Sequence, residues 1–190
     1  MSHGHVRLHR QSREFRRPQS GFTAIEMMAA AAILAIVTSL ALPSFADLVK
    51  RYRVRRAVED FTAMLHLARV EGIQRGGGIV LARAAAADCA ASGPEWSCGW
   101  RLFADADGDK AWRSGEEVIQ HAAAPAGVRV TTAQGAAIRF DRWGQAGGLG
   151  VLSFHFQSSA PAAGAVAQAQ VCVSGGGRIR VLQGVSSCAG

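Results

Sequence analysis

The feature that most constrains this chain is an uncharged, apolar run of 20 residues at positions 27–46. A helix needs about 20 such residues to cross the hydrocarbon core of a bilayer. The run is longer than the apolar core of a cleaved secretory signal, and the sequence ALPSF near its end is a poor small-x-small cleavage site. Pro43 lies late in the run, where a proline kinks a membrane helix without ending it. The run therefore predicts a membrane-spanning helix.

The spacing of apolar residues predicts that this helix continues beyond the membrane. Between residues 49 and 74, apolar side chains recur at steps of three and four, which is the spacing of one helix face. These positions are Val54, Val58, Phe61, Leu65 and Ala68. Most charged residues fall on the other face, and the sequence RGGG at positions 75–78 predicts the end of the helix.

After residue 78 the pattern changes to short apolar runs separated by turn residues, which is typical of β-strands. Eight runs are predicted to be strands: IVLARA, GWRLFADA, EEVIQHA, VRVTT, AIRFDRWG, LSFHFQ, AQVCVS and RIRVLQ. We therefore expect an α+β fold in which a long N-terminal helix packs on an antiparallel β-sheet. The helix is predicted to be transmembrane in its first half and amphipathic in its second.

Four cysteines predict disulfide bonds if the chain is exported to an oxidising compartment. They are Cys89, Cys98, Cys172 and Cys188. Four cysteines allow three connectivities, and we prefer the local pairs Cys89–Cys98 and Cys172–Cys188. The spacings lack the C-x-x-C pairs of zinc sites, so these thiols are not expected to bind metal.

The formal net charge of +7 is unevenly distributed. The first 21 residues hold five arginines and one acid, so the remainder has 16 basic and 13 acidic residues, or +3. A second basic cluster follows the apolar run: Lys50, Arg51, Arg53, Arg55 and Arg56. We expect a solvated helix face or a contact with phosphate headgroups there, with nucleic-acid binding as the alternative. Because basic residues flank the run on both sides, charge alone does not fix its orientation.

The sequence GFTAIE at positions 21–26 follows a basic leader and opens the apolar run. This combination resembles the N-terminus of type IV prepilins and pseudopilins. The resemblance implies that a prepilin peptidase cleaves between Gly21 and Phe22 and methylates the new amine of Phe22. Glu26 is then the fifth residue of the mature chain. An uncleaved signal anchor is the alternative.

The same resemblance implies a location and an organisation. The protein is expected to cross the bacterial inner membrane once, with its leader in the cytoplasm and its β-rich domain in the periplasm, and then to enter a filament with other pilins. The expected segments are a cleaved leader at residues 1–21, a transmembrane and assembly helix at 22–48, an amphipathic helix at 49–78 and a globular β-rich domain at 79–190.

Four downstream blocks resemble the GspH/FimT group of minor pilins: LARVEGIQRGGGIVL, CGWRLFADADGDKAWRSGEEVI, FDRWGQA and CVSGGGRIRV. That group includes minor pilins of type IV pili and a pseudopilin of type II secretion. The resemblance therefore implies two candidate functions. One is a minor pilin that binds DNA for uptake, and the other is a pseudopilin that primes or caps a pseudopilus and contacts exported proteins.

Glu26 places one carboxylate at the start of an apolar helix, where burial of an isolated charge costs several kcal/mol. Cleavage before Phe22 creates a cationic amine four residues away. In a filament of staggered helices, we expect the carboxylate of one subunit to meet the amine of its neighbour, which offsets the cost and fixes register. A glutamate that extends to the lipid headgroups is the alternative.

The sequence GGGRIRV at positions 175–181 is the best candidate for partner contact. On a strand, Arg178 and Arg180 point to one face, and Ile179 and Val181 point to the other. The planar guanidinium suits phosphate, so we expect contacts with the DNA backbone. Gly177, Arg178 and Arg180 match a Gly-Arg-x-Arg motif that is associated with DNA binding in FimT-like pilins. The alternative is an edge strand that its charges keep from aggregating.

The acidic sequence DADGDKAWRSGEE has the ligand spacing of an EF-hand loop at positions one, three, five and twelve. These residues are Asp105, Asp107, Asp109 and Glu116. Position six is Lys110 rather than glycine, and the flanking segments are predicted strands rather than helices. We therefore expect an acidic hairpin turn, with Ca²⁺ binding as the alternative and no other metal site.

The sequence shows no catalytic constellation. His66, His121 and His155 are scattered, and no serine or cysteine lies in a nucleophile motif. We expect neither an enzymatic activity nor a cofactor. Arg139 and Arg142 are further candidates for the C-terminal basic surface, if the fold brings them close.

We predict that the membrane form of the chain begins at an N-methylated Phe22. Glycine before the cleaved bond lacks a Cβ, so a protease can approach the backbone closely. Mass spectrometry of the protein from its native membranes should show the loss of residues 1–21 and the gain of a methyl group. An intact leader in cells with an active prepilin peptidase would contradict this prediction.

Overall fold

A computed structural model describes residues 21–84, 96–123, 125–133, 135–147, 150–159, 167–184 and 187–188. For residues 40–43 it describes the backbone alone. The chain forms two compact units, Met1–Ala41 and Leu42–Gly190. All of the described strands lie in the second unit.

One helix, α1, spans Ala24–Arg75 and has 52 residues. It continues through Pro43 without a break, as predicted. The described side chains at positions 21–39 are all exposed, and the helix is long and apolar enough to cross a membrane. This part of the chain therefore has no protein environment of its own in which to bury its apolar surface.

The helix ends at Arg75 because the next three residues are glycines in the left-handed region. Gly76, Gly77 and Gly78 have φ angles of 79°, 104° and 72°. Residues with a Cβ rarely adopt such angles, and glycine there is the usual end of a helix. The predicted end of the helix is confirmed.

Eight strands follow, and each predicted strand is present. Their bounds are β1 Gly77–Arg83, β2 Gly99–Ala104, β3 Val118–Ala123, β4 Val128–Thr132, β5 Ala137–Asp141, β6 Val151–Ser158, β7 Gln168–Ser174 and β8 Ile179–Gln183. The strand β1 begins at Gly77, slightly before the expected residue 79, because Gly77 already pairs with Asp141 of β5. All named pairings are antiparallel.

The strands divide into two four-stranded sheets, and both pack on α1. The first sheet has the order β3-β2-β1-β5, and the second has the order β4-β6-β7-β8. The strand β8, which carries Arg180, is therefore at an edge of the second sheet. The α+β fold with a long N-terminal helix on antiparallel sheet is confirmed, with the sheet divided into two.

The core forms around the helix face that the spacing predicted. Phe61 is fully buried, and its ring lies 5.0 Å from Trp100 of the first sheet. The same ring lies 4.8 Å from Phe154 and 5.4 Å from Phe156, both in the second sheet. Edge-to-face and tilted aromatic pairs at these distances are favourable beyond their area of burial. One helix residue thus joins the two sheets.

A disulfide bond joins Cys172 on β7 to Cys188 near the C-terminus, as predicted, with a Cα–Cα distance of 5.6 Å. Closing a loop of this length stabilises a fold by about 3 kcal/mol in the chain-entropy account. Cys98 is also disulfide-bonded. Its expected partner, Cys89, lies outside the described residues, so the Cys89–Cys98 pairing stays a prediction.

We predict that Phe61→Ala lowers the free energy of unfolding by about 3–5 kcal/mol, because it leaves a cavity between the two sheets. Val70→Ala is the matched control: Val70 lies on the same helix and is 47% exposed, so the change should stay within about 0.5 kcal/mol. Urea unfolding of the full chain in detergent micelles, followed by tryptophan fluorescence, measures both. Equal effects would contradict the central position of Phe61.

Candidate functional site

The C-terminal basic turn connects β7 to β8 and has a defined hydrogen-bonded geometry. The amide of Ser174 donates to the carbonyl of Arg178 at 2.9 Å, and the amide of Arg178 donates to the Ser174 hydroxyl at 3.1 Å. The amide of Gly177 donates to the Ser174 carbonyl at 2.8 Å. The turn therefore holds the backbone of Gly177 and Arg178 in place.

The two arginines of this turn differ in their surroundings. Arg178 is exposed, whereas Arg180 is half-buried and donates to the carbonyl of Cys188 at 3.3 Å. Arg180 pairs with Cys172 across the sheet, while Ile179 packs on the core. Arg180 therefore lies on the face of β8 opposite to Ile179 and also supports the disulfide-linked C-terminal segment, whereas Arg178 precedes the strand, which begins one residue later than predicted.

A second turn, residues 141–145 after β5, lies directly against the first. The Asp141 carboxylate accepts hydrogen bonds from the amides of Trp143 at 2.9 Å and Gln145 at 2.8 Å. Arg142 is exposed, and Trp143 is 72% exposed. The tip of this turn thus presents a cation and an indole to solvent.

Gly177 allows the close contact between the two turns. Its φ is +77°, and a Cβ at this position would overlap the carbonyl oxygen of Gly144. Only glycine fits both conditions, because other residues adopt this φ with strain and carry the clashing atom. The requirement for glycine at the head of the Gly-Arg-x-Arg sequence is therefore structural at this position.

Arg69 of α1 completes the junction. Its guanidinium Nη1 donates to the carbonyl of Gly177 at 3.2 Å. Its aliphatic stem packs against Gly144, where a Cβ would lie 2.8 Å from Arg69 Cγ. Arg69 therefore holds both turns and adds a positive charge beside them. We call Arg69, Arg142, Arg178 and Arg180 the basic surface.

The charge of the basic surface is not neutralised within the described part of the chain. Among the described residues, no carboxylate lies within 4.0 Å of the Arg69, Arg142 or Arg178 side-chain nitrogens. The nearby acids have other partners: Asp141 accepts the amides of its own turn, and Glu71 binds Arg75 at 2.6 Å. These arginines are available to an external anion.

Several of the other candidate cations have carboxylate partners. Arg139 contacts Asp105 at 3.3 Å, so it belongs to the acidic loop and does not extend the basic surface as proposed from the sequence. In the cluster at residues 50–56, three of the five cations pair with acids of their own helix: Lys50 with Asp47, Arg55 with Glu59, and Arg56 with Asp60. These three pairs fit a solvated helix face.

The acidic loop forms a turn that its own donors stabilise. The amides of Gly108 and Ala111 donate to Asp105 and Asp109 at 3.0 and 2.7 Å. Arg113 contacts Asp107 at 3.3 Å and Asp109 at 2.7 Å. The Ala111 amide, and then Arg113, lower the pKa of Asp109 below its usual value. The acidic-turn description fits these contacts.

Glu116 also takes part in the loop, by accepting the amides of Ala106 at 3.0 Å and Arg113 at 2.8 Å. Ligand oxygens of Asp105, Asp107 and Asp109 lie within 4.8 Å of one another. Lys110, at the position that is glycine in an EF-hand, has a φ of 63°. Ca²⁺ binding here stays an untested alternative.

The N-terminus of α1 shows a contact that the sequence interpretation missed. The amide of Glu26 donates to the Thr23 hydroxyl at 3.3 Å, and the amide of Thr23 donates to the Glu26 carboxylate at 3.5 Å. This reciprocal pattern is a capping box, which satisfies two of the free amides at a helix start. Glu26 therefore has a local partner within its own subunit. Phe22 is 78% exposed.

Two residues of the basic surface and its rim were also missed. Arg69 is 108 positions from Gly177, and nothing in the sequence indicates that they meet. Trp143 gave a weak signal, since an aromatic residue inside a D-x-x-G turn seldom packs in a core.

The histidines His66, His121 and His155 are exposed on α1, β3 and β6 and do not form a cluster.

We predict that Gly177→Ala lowers the free energy of unfolding by about 2 kcal/mol or more, because it combines backbone strain with the clash at Gly144. Gly176→Ala is the matched control, since a Cβ there meets only the Ser174 hydroxyl, at 3.9 Å. It should change stability by less than about 0.5 kcal/mol. Thermal or urea unfolding of the full chain in micelles compares the two, and equal stabilities would refute the close contact.

Comparison with known proteins agrees with this architecture. A family model described as Type II transport protein GspH matches residues 57–177, and a model of the prokaryotic N-terminal methylation motif matches residues 16–42. No curated protein sequence matches the chain significantly.

Two crystal structures of the type IV minor pilin FimU from Pseudomonas aeruginosa, strain PAO1, have a similar fold. One is 15% identical with a TM-score of 0.54, and the match covers 70% of this chain and 90% of FimU. The other is 16% identical with a TM-score of 0.50, and the match covers 67% and 90%. At these identities the similarity shows a shared pilin fold. The GspH model matches well over half of the 190 residues of this chain. The chain therefore belongs to the GspH family of pilins and pseudopilins, and it is a structural subunit rather than an enzyme.

Proposed function

We propose that this protein is a minor pilin of a type IV pilus that binds DNA without sequence preference through its basic surface. The observation that carries the proposal is that the turns bearing Arg142 and Arg178 meet at Arg69, and that these three arginines have no carboxylate partner among the described residues. Three chain segments contribute to this surface, and two glycine contacts hold them together.

The chemistry of this surface suits the backbone of DNA. Guanidinium groups bind phosphate oxygens with two donors in a plane, and their charge is not lost at any physiological pH. The arginines lie at the junction of two tight turns rather than on a helix or ribbon that enters a groove. The expected contacts therefore position the DNA and carry no sequence information. Binding of this kind weakens steeply with salt, because it releases counterions.

We further propose that the N-terminal part of the chain acts in processing and assembly. The methylation-motif match at residues 16–42 supports cleavage between Gly21 and Phe22 by a prepilin peptidase and methylation of Phe22. The exposed apolar surface at positions 21–39 suits first the inner membrane and then the helices of neighbouring pilins. The globular unit then lies in the periplasm, where disulfides form and persist.

Glu26 fits both stages of this proposal. In the single chain its carboxylate caps the helix through Thr23, at the long distance of 3.5 Å. Thr23 stays in the mature chain, so the cap survives cleavage. In a filament the carboxylate gains the amine of a neighbouring Phe22, a stronger charged partner.

The second candidate is a pseudopilin of a type II secretion system, which the matching family description favours. In that function the subunit primes or caps a pseudopilus and contacts exported proteins. The pseudopilin function does not require arginines that are available to an anion. A measurement of DNA binding therefore separates the two candidate functions.

We predict that the full chain in detergent micelles binds a short DNA duplex and that Arg178→Gln weakens this binding several-fold. The slope of log affinity against log salt should fall by about one, because one phosphate contact is lost. Arg178 is preferred over Arg180, whose replacement also removes the bond to Cys188. Fluorescence anisotropy with a labelled duplex, at about 50 to 200 mM salt, measures both quantities.

Arg129→Gln is the control, because Arg129 is exposed on β4, at the opposite edge of the same sheet, and its replacement changes the net charge equally. It should leave the affinity and the salt slope almost unchanged. If the full chain shows no salt-dependent binding, or if both substitutions act equally, the DNA proposal fails and the secretion candidate is preferred.

A further inference from the structure

Trp143 differs from the other three tryptophans of the chain. Trp96 and Trp100 are buried in the core, and the ring of Trp112 is covered by the Arg101 guanidinium at 4.1 Å. Trp143 is 72% exposed, and its indole has no hydrogen-bond or ring partner among the described residues. An indole in this state contributes little to folding and is accessible to a partner outside the subunit.

The position of Trp143 relates it to the basic surface. Trp143 directly precedes Gly144, whose carbonyl oxygen contacts Gly177, and Arg178 directly follows Gly177. Arg142 lies next to Trp143 in the same turn. The turn that carries Trp143 and Arg142 therefore lies against the turn that carries Arg178, and Arg69 contacts both turns.

The backbone that carries Trp143 is held firmly. The Asp141 carboxylate accepts the amides of Trp143 and Gln145, and the amide of Gly144 donates to the Asp141 carbonyl at 3.0 Å. Gly144 is buried against α1: a Cβ on this residue would lie 2.8 Å from Arg69 Cγ and 3.0 Å from Ile73 Cδ1. A rigid turn presents its side chain to a ligand at a low entropic cost.

We propose that Trp143 is a stacking platform for a base of single-stranded DNA, with Arg142 and Arg178 on the flanking phosphates. The inference rests on the proposed function and specifies its ligand. An exposed aromatic ring beside arginines is the combination by which proteins bind single strands without sequence preference. A duplex hides the faces of its bases in its own stack, so it can use the arginines but not the indole. A single strand or a frayed end uses both.

The test compares a labelled oligothymidine of about 15 nucleotides, within the site size of one single-strand-binding module, with a duplex of similar length. Both are titrated with the full chain in detergent micelles. Trp143→Ala should weaken oligothymidine binding about tenfold and duplex binding less than about twofold, in keeping with the range for the loss of one base–aromatic stack. Trp143→Phe should restore most of the affinity, because a phenyl ring also stacks. Oligothymidine should quench tryptophan fluorescence in the wild type and not in Trp143→Ala.

Trp112→Ala is the matched control, since it removes a partly exposed indole from the acidic loop, and it should leave both affinities unchanged. If Trp143→Ala leaves oligothymidine binding intact, or weakens duplex binding equally, the stacking inference is wrong. Duplex binding that still depends on Arg178 would then keep the proposed function. If Arg178→Gln affects neither ligand, the proposed function itself fails, and the two failures are distinguishable.

Discussion

The burial of one face of α1 by two separate sheets is the interaction on which the rest of the globular unit depends. A sheet and a helix each have an apolar face that must be buried against another element. Phe61 provides the common point, since its ring contacts Trp100 from the first sheet and Phe154 and Phe156 from the second. Both sheets are thereby fixed to the same helix and, through it, to each other.

The basic surface depends on this arrangement. The turn after β5 belongs to the first sheet and the turn before β8 to the second, and the two turns meet beside Arg69 of the helix on which both sheets pack. Arg69 lies eight residues beyond Phe61 on α1 and bonds the Gly177 carbonyl, while its stem packs on Gly144. The packing that stabilises the fold thus also gathers arginines that the chain separates by up to 109 positions, from 69 to 178. The pilin fold itself can then provide an anion-binding surface without an additional domain, because no carboxylate of the described chain pairs with these arginines.

The two units of the chain differ in how much of their apolar surface is buried within the chain. The second unit buries it between helix and sheets, whereas the described first unit leaves every side chain of residues 21–39 exposed. An environment outside the chain must cover that surface, and a membrane or a bundle of neighbouring helices can do so. The capping box of Thr23 and Glu26 provides acceptors for two amides at the start of this segment. Such internal partners matter there, because the hydrocarbon core of a membrane holds no water that could accept hydrogen bonds from these amides.

Much of the fold was readable from residue patterns, because periodicity is a local property. The three- and four-residue spacing identified the buried face of α1, the RGGG sequence identified its end, and short apolar runs between turn residues identified all eight strands. The division into two sheets was not readable, since it depends on pairings between distant strands such as β1 with β5. The contact of Arg69 with Gly177 was hidden for the same reason. The capping box was different: Thr-x-x-Glu at positions 23–26 is a local signal that was available in the sequence and was overlooked.

The central claim is that the junction of two turns and Arg69 forms one surface that binds DNA. Backbone amide NMR of the full chain in micelles, titrated with a short DNA duplex at low salt, tests it most directly. We expect the amide resonances of Arg142, Trp143, Gly177 and Arg178 to shift together, with a common dissociation constant. Shifts confined to the helix cluster at residues 50–56, or shifts of one turn without the other, would contradict the claim.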